Sequence, residues 1–347
     1  MIAGADTRQA TAGATPRSRR QLLVIAIWCV LAVVFYARFR HEVVKAVLSF
    51  PQLGPAVAAA LVLFVIWTVV ASEGWRVLLR AAVPDDPGAP TLARLSLIRV
   101  QAQAVNFVLP TGGLAGEGLR AVSAAGTPAA VRGSVAAIVL DNVATGVAGL
   151  TISAATIPLL LAVSHAPWHT TVLSGVALVA LAVLSAWLPF ALAPRLLRVV
   201  DPARRVARVL QVLSDHARLR PAFRRAVLWH FLERIITVGE VYVVFVSLRV
   251  PGTAVDAAVL SSVFILASFA LFFIPGQIGA AELLLLMACL GLGLPPAIGI
   301  SVALVRRSRQ LAVSVVGLLL LLAARRTGGR TATWLSGGAA SDKGEFP

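Results

Sequence analysis

Long apolar runs recur along the chain and are separated by short polar segments. About 17–25 apolar residues in a helix are enough to cross the hydrocarbon core of a bilayer, and each run reaches or exceeds that length. The pattern therefore predicts an all-α polytopic membrane protein with about six full spans. These candidate spans are residues 21–37, 54–72, 133–163, 172–193, 226–247 and 295–323.

Two further apolar regions, 91–125 and 255–292, are interrupted in the middle by proline and glycine. Irregular backbone at membrane depth is tolerated only where it faces protein or a water-filled cavity. We therefore expect both regions to form broken, re-entrant helical hairpins. The residues that break the helices are Pro110, Gly112 and Gly113 in the first hairpin and Pro275, Gly276 and Gly279 in the second.

The two breaks belong to an internal repeat. Residues 109–117 (LPTGGLAGE) and 274–282 (IPGQIGAAE) both place a glutamate seven residues after a proline, at an offset of 165. The same offset relates the surrounding hairpins and spans, so repeat one covers about 54–163 and repeat two about 219–323. An odd number of predicted membrane crossings separates the two copies. This predicts an inverted repeat, an architecture common among secondary transporters.

Composition and charge exclude the other large classes of protein. Of the 347 residues, 59% are hydrophobic and only 13% are charged, whereas a soluble domain carries about 25% charged residues. This excludes a soluble enzyme, and it excludes a disordered chain. The net charge of +16 does not indicate nucleic acid as a partner. Five acidic residues and five arginines in or beside the apolar runs cancel, so the excess lies in loops and tails.

The distribution of lysine and arginine predicts the orientation. With the N-terminus in the cytoplasm, 22 of these residues fall on the cytoplasmic side and 4 on the other, as the positive-inside rule requires. We expect a multi-pass protein of the bacterial inner membrane with both termini in the cytoplasm. Its predicted parts are a basic tail (1–20), a single transmembrane domain (21–325) with a basic loop (195–225), and a disordered tail (326–347). The loop fits either an ordinary cytoplasmic loop or an amphipathic helix on anionic headgroups.

Glu117 and Glu282 each stand just after a predicted helix break, where a new helix begins inside the membrane. Such an N-terminus exposes unpaired N–H groups and the positive end of the helix dipole. It can therefore bind a carboxylate or the phosphate of a lipid headgroup. The alternative is that each glutamate caps its own half-helix, and the two roles are compatible.

Polar residues at helical spacing predict two stripes. One lies in the span 226–247 and is expected to face the protein interior, and the other fits either the interior or the membrane interface. The stripes are His230, Glu233, Arg234, Thr237 and Glu240, and Ser96, Arg99, Gln103 and Asn106. Asp141 and Arg306 occupy matching positions of the repeat, which suggests an ion pair between them. Arg306 and Arg309 share a helix face, so they either hold a phosphate together or pair with Glu282 or Glu240.

The charged residues of the apolar regions form the candidate site for a lipid headgroup. They are Glu117, Arg120, Asp141, Glu240, Glu282, Arg306 and Arg309. Cys29 and Cys289 lie in separate apolar runs, and neither a carboxylate nor a cysteine accompanies His165 and His169. We therefore predict no metal and no cofactor. The sequence has no Walker loop and no nucleophile elbow, so we expect that the protein is not an enzyme.

Several motifs resemble those of a known family. In the first repeat they are Asn106-Phe-Val-Leu-Pro110, Gly116-Glu117-x-x-Arg120 and Asp141; in the second they are Pro275-Gly-x-x-Gly279-x-x-Glu282, Gly291-Leu-Gly-Leu-Pro-Pro296 and Leu304-Val-Arg-Arg-Ser-Arg309. They are similar to those of the flippase-like integral membrane family related to the N-terminal transmembrane domain of lysylphosphatidylglycerol synthase, over roughly residues 20–325. The second half, with Glu240, most resembles the branch associated with hopanoid biosynthesis. Gln277 and Ala281 depart from that pattern.

The resemblance implies lipid translocation between leaflets, or lipid handling coupled to biosynthesis. Membrane lipids are then the expected ligands, either hopanoid-type lipids or phospholipids, and lipid-biosynthetic enzymes are further candidate partners. It does not imply aminoacylation, because in the synthases that reaction belongs to a C-terminal cytosolic domain. Two alternatives stay open. One is a non-transporting membrane scaffold or regulator of lipid-biosynthetic enzymes, and the other is a membrane-embedded enzyme with paired acids.

Overall fold

The computed structural model describes residues 37, 40–84, 89–109, 113–125, 127, 130–199, 205–270 and 279–326, and throughout these ranges the regular secondary structure is helical. Residues 40–48 form α1, and the 3₁₀ helix Phe50–Leu53 leads directly into α2. The remaining helices are α2 (Gly54–Ala82), α3 (Leu92–Val108), α4 (Leu114–Ala124), α5 (Val131–Val163), α6 (Trp168–Leu196), α7 (Arg205–Leu213), α8 (His216–Ser247), α9 (Ala254–Ala270), α10 (Ala280–Gly291) and α11 (Pro296–Arg326). The predicted all-α class is confirmed.

Four segments are long and apolar enough to cross a membrane. They are Phe50–Ala82, Val131–Val163, Trp168–Leu196 and Pro296–Ala324, and they contain four of the predicted spans. The prediction for 226–247 falls within α8, whose 32 residues give it spanning length although it carries several ionised side chains. The predicted first span, the two tails and the break residues Pro110, Gly112, Pro275 and Gly276 lie outside the described residues, apart from residue 37 and Arg326.

The hairpin helices are shorter than the spans. Helices α3 and α9 have 17 residues each, or about 25 Å, and α4 and α10 are shorter still, whereas the hydrocarbon core is about 30 Å thick. Both α4 and α10 begin immediately after a glycine with positive φ, Gly113 (89°) and Gly279 (84°). This backbone conformation is strained for any residue with a Cβ, which explains why glycine occupies both breaks.

The helix bounds follow the predicted offset of 165 residues. Adding it to the bounds of α2, α3, α4 and α5 gives those of α8, α9, α10 and α11 to within about three residues at nearly every end. The contacts between helices follow the same repeat. Helix α3 packs against α11, the corresponding helices α9 and α5 pack against each other, and α2 packs against its own counterpart α8. The two units therefore interlock. Their inversion relative to the membrane stays a prediction.

The apolar residues divide between an interior and an outer surface. One buried cluster surrounds Trp75 and Leu140, and a second surrounds Phe245 and Leu285. By contrast, α6 leaves a row of large apolar side chains exposed, among them Val172, Leu173, Val176, Val179 and Val183. Exposed apolar surface of this extent is expected where a helix faces lipid tails.

The basic loop 195–225 contains a short amphipathic helix. Three apolar residues of α7, Ala207, Leu210 and Leu213, are buried, and the helix packs against α5 and α6. The structure thus contains an amphipathic helix in this loop, and its binding to anionic headgroups stays a prediction. Its buried face covers the protein's own helices, so those residues cannot also be immersed in the membrane.

Candidate functional site

Asp141 is the centre of a buried network of ionised side chains. It lies on α5 and is fully buried, accepts hydrogen bonds from two arginines, and lies within hydrogen-bond distance of a histidine ring. Arg99 Nη2 and Arg120 Nη2 donate to Oδ2 over 3.0 and 2.5 Å, and His230 Nε2 lies 2.8 Å from Oδ1. Removing a carboxylate from water is costly unless it is paired and hydrogen-bonded, and Asp141 satisfies both conditions.

His230 connects Asp141 to a second buried carboxylate. Its Nδ1 lies 2.6 Å from Glu233 Oε2 and 3.2 Å from Thr145 Oγ1, while its Nε2 faces Asp141. A neutral imidazole has only one N–H, so two such contacts to carboxylates require an additional proton. Either the ring is an imidazolium or one carboxyl group is protonated. These distances therefore require one more proton than a neutral ring between two carboxylates supplies, and His230 is 0% exposed.

The same network reaches the protein surface through α4. Arg120 donates from Nη1 to Glu117 Oε2 over 2.7 Å, and 29% of the Glu117 side chain is exposed. At the other edge, Arg234 lies 3.7 Å from Glu233. We call this group the Asp141 cluster; its members are Arg99, Glu117, Arg120, Asp141, His230, Glu233 and Arg234. It joins α3, α4 and α5 of the first unit to α8 of the second.

Charged residues of the second unit form another group, the Arg306 cluster. It consists of Glu240, Glu282, Arg306, Arg307 and Arg309. Arg307 pairs with Glu282 Oε1 at 3.1 Å, and Arg309 Nε lies 2.8 Å from Glu240 Oε1. Arg306 stacks over the ring of Phe264, 4.1 Å from its centroid. This cluster connects α8, α9, α10 and α11.

Aromatic rings of α2 lie between the two clusters. The rings of Phe64 and Trp67 stack with their centroids 5.4 Å apart. The Arg309 guanidinium is 5.2 Å from the Phe64 ring, and the Arg99 guanidinium is 5.9 Å from the Trp67 ring. Cation–π attraction acts over this range. The seven predicted site residues thus fall into two groups, three in the Asp141 cluster and four in the Arg306 cluster, with α2 between them.

The two glutamates that follow the helix breaks differ in their contacts. Glu282 Oε2 accepts a hydrogen bond from the backbone N–H of Gly279 over 2.7 Å, which confirms that it caps α10. In the first unit, Asn106 Oδ1 accepts from the N–H of Gly116 over 2.7 Å, and Glu117 pairs with Arg120. Part of the anchoring of α4 therefore comes from the preceding helix, α3.

The predicted ion pair between Asp141 and Arg306 is wrong. Asp141 pairs with Arg99 on α3, and the residue at the matching position of α9 is Phe264, on which Arg306 stacks. Each residue thus contacts the hairpin helix of its own unit. The partner of Asp141 on that helix is a charged side chain, Arg99, whereas the partner of Arg306 is an aromatic ring, Phe264. The alternative pairing of Arg309 with Glu240 is confirmed, and Glu282 pairs with the neighbouring Arg307.

Four members of the Asp141 cluster were missing from the predicted site: Arg99, His230, Glu233 and Arg234. The first three are buried, and all four belong to the polar stripes predicted from helical spacing. The interior alternative for Arg99 is therefore correct. A stripe identifies the inward face of a helix, and that signal was sufficient to include these residues. It does not identify their partners, because Arg99 and His230 lie 42 and 89 residues from Asp141.

These features define a polytopic helical membrane protein with two buried charge clusters in a pair of repeated units. Residues 21–325 match the family described as the lysylphosphatidylglycerol synthase TM region, and the chain belongs to that family. The resemblance noted from the motifs is thereby confirmed at the level of the family, and the hopanoid-associated branch stays a prediction. A search of curated proteins returned no significant match.

Proposed function

We propose that this protein moves polar-headed lipids between the two leaflets of the bacterial inner membrane. The observation that carries the proposal is the pair of buried charge clusters in a domain whose outer surface is apolar. Ionised side chains inside a membrane protein are costly, and they commonly mark the path of a substrate or ion.

The location of the clusters suits this function. They involve the short helices of both broken hairpins, and broken helices form the substrate sites of many transporters with repeated units. The Glu117–Arg120 and Glu282–Arg307 pairs are only partly buried. A headgroup arriving from either side could exchange partners with them, because part of each pair is accessible from outside the protein. The acyl chains would stay in the bilayer against the exposed apolar face.

Reconstitution into vesicles tests this function. The purified protein is placed in vesicles that carry a trace of fluorescent lipid, and a membrane-impermeant reductant added outside reports how fast inner-leaflet label becomes accessible. We expect the wild type to accelerate this exchange for at least one headgroup relative to protein-free vesicles. The Glu117→Gln/Glu282→Gln double variant should lower the rate about tenfold, since it removes the acidic member of both partly exposed pairs.

A control variant at another glutamate separates transport from general damage. Glu42→Gln removes the acid of the Glu42–Lys45 pair, which has the same i, i+3 spacing on an exposed segment, and it should retain the wild-type rate. Anionic, zwitterionic, cationic and uncharged lipids are compared in parallel. If the wild type matches protein-free vesicles for all four classes, the transport proposal is rejected and a scaffold in lipid biosynthesis becomes the better interpretation.

A further inference from the structure

Arg306 is a buried cation that forms no salt bridge among the residues that the structure describes. It is 6% exposed, and its Nε and Nη2 atoms have no hydrogen-bond acceptor. Its guanidinium lies over the ring of Phe264, and Glu240 attracts it from beyond salt-bridge distance. The other arginines of the two clusters each lie within salt-bridge distance of a carboxylate: Arg99 and Arg120 of Asp141, Arg234 of Glu233, Arg307 of Glu282, and Arg309 of Glu240.

The cluster around Arg306 also has an excess of positive charge. Three arginines face two glutamates, and both glutamates are engaged by the other two arginines. The Arg309–Glu240 pair is close but poorly aligned, so Arg309 Nε also lacks a hydrogen-bond acceptor, as Glu240 Oε1 lacks a donor.

From this arrangement we infer that Arg306 binds the anionic group, a phosphate or carboxylate, of the lipid headgroup that the proposed function transports. A guanidinium offers its donors in one plane, a geometry that suits two oxygens of a phosphate or carboxylate. Phe264 lies against the guanidinium, with the ring centroid 4.1 Å from Cζ, and it offers no acceptor to the Nε and Nη2 donors. An anion there would neutralise the cluster, whereas a cationic headgroup would increase its excess charge. This inference rests on the proposed function for the identity of the ligand.

The contrast with the first unit supports this assignment. At the matching position, Asp141 lies within ion-pair distance of Arg99, Arg120 and His230. The matching positions of the two units therefore have different surroundings. Every arginine of the Asp141 cluster lies within salt-bridge distance of a carboxylate, whereas Arg306 does not.

A stability measurement distinguishes a ligand site from a structural role. An unpaired buried charge does not stabilise the empty protein, so Arg306→Gln should unfold at the same temperature as the wild type or at a higher one. Binding of fluorescent phosphatidylglycerol to the purified protein in micelles should weaken at least tenfold in the same variant. Arg306→Lys keeps the charge but loses the planar pair of donors, and it should bind with intermediate affinity.

The control is Arg76→Gln, which removes a cation from a partly buried i, i+3 pair on α2 and should leave lipid affinity unchanged.

The wild type alone provides a second measurement. Saturating phosphatidylglycerol should raise its unfolding temperature, because a ligand that binds only the folded state stabilises it, whereas diacylglycerol, which lacks the anionic group, should not. Competition with inorganic phosphate and glycerol 3-phosphate identifies the source of the anion. Displacement by the lipid alone assigns the site to a headgroup, and equal displacement by inorganic phosphate overturns the lipid assignment in favour of a free anion.

Two further results would overturn the inference. One is unchanged phosphatidylglycerol affinity in Arg306→Gln, and the other is a clear loss of stability in that variant without loss of binding. Failure of this inference is distinguishable from failure of the proposed function, because the binding assay measures no transport. Lipid exchange in vesicles with binding that ignores Arg306 rejects the inference alone, and Arg306-dependent binding without exchange rejects the transport function alone.

Discussion

Replacing Asp141 by asparagine should cause the largest loss of stability of any single charge-neutralising change in the described part of the chain. The asparagine side chain retains one acceptor oxygen but loses the negative charge that compensates Arg99, Arg120 and His230. These three side chains are 7%, 3% and 0% exposed, so water cannot replace the carboxylate. Removing one partner of a buried ion pair costs about 3–5 kcal/mol. The expected result is a large fall in the unfolding temperature of the purified protein in detergent, followed by circular dichroism.

Asp256→Asn is the matched control for this measurement. Asp256 accepts hydrogen bonds from the backbone N–H and the hydroxyl of Thr253, both at 2.7 Å, at the exposed start of α9. The same chemical change there should cost at most about 1 kcal/mol, since the amide oxygen of asparagine can still accept hydrogen bonds from Thr253 and water reaches this position. In a double variant, Arg99→Gln should recover part of the stability lost in Asp141→Asn, because it removes one uncompensated cation. Equal unfolding temperatures for the two aspartate variants would show that Asp141 does not organise the cluster.

The second large effect is expected where the two repeat units touch, at Gly317 on α11. A Cβ at this position would lie 2.6 Å from the Cβ of Ala104 and 2.7 Å from the backbone oxygen of Val100, both on α3. Neither atom belongs to a flexible side chain that could move aside, so the helices must separate. Gly317→Ala should therefore destabilise the protein by about 1–3 kcal/mol, the usual cost of overpacking. Small residues at such contacts allow membrane helices to approach closely.

Gly239→Ala is a control with the opposite expectation. A Cβ at Gly239, on α8, would meet no atom within 4 Å, and alanine favours a helix over glycine by about 0.5–1 kcal/mol. This variant should be as stable as the wild type or slightly more stable, again judged by thermal unfolding. Because α11 carries Arg306 and Arg309, Gly317→Ala should also reduce lipid exchange in vesicles. Equal behaviour of the two glycine variants would contradict the close contact between α3 and α11.

Much of the fold could be predicted because a membrane-spanning helix requires a long apolar run, which is visible in the sequence. Four predicted spans lie within helices that are long and apolar enough to cross the bilayer. The offset between Glu117 and Glu282 anticipated the bounds of the helices in the second unit. Gly113 and Gly279 were predicted as helix breaks and have the positive φ that glycine accommodates. These features depend on residues close together in the chain, so local patterns contain them.

The partners of the charged residues could not be predicted in the same way. Repeat symmetry suggested Asp141 and Arg306 as a pair, but a symmetric position fixes only where a residue lies within its own unit. Its actual neighbour depends on the side chain that the adjacent hairpin helix presents, which is Arg99 in one unit and Phe264 in the other. Arg307 was likewise missed as the ion-pair partner of Glu282. Arg306 and Arg307 are adjacent in the chain, and only the rotation of α11 about its axis decides which of them faces α10.

The sequence by itself determined the class of protein, most of the helices, the repeat and the inward faces of the polar stripes, because burial in lipid constrains every residue of a span. Only the tertiary structure decided which charges meet. It placed His230 between Asp141 and Glu233, it set the rings of Phe64 and Trp67 between the two clusters, and it left Arg306 without an acceptor. Charge pairing depends on distances of a few ångströms between helices far apart in the chain, and those distances arise only when the helices pack.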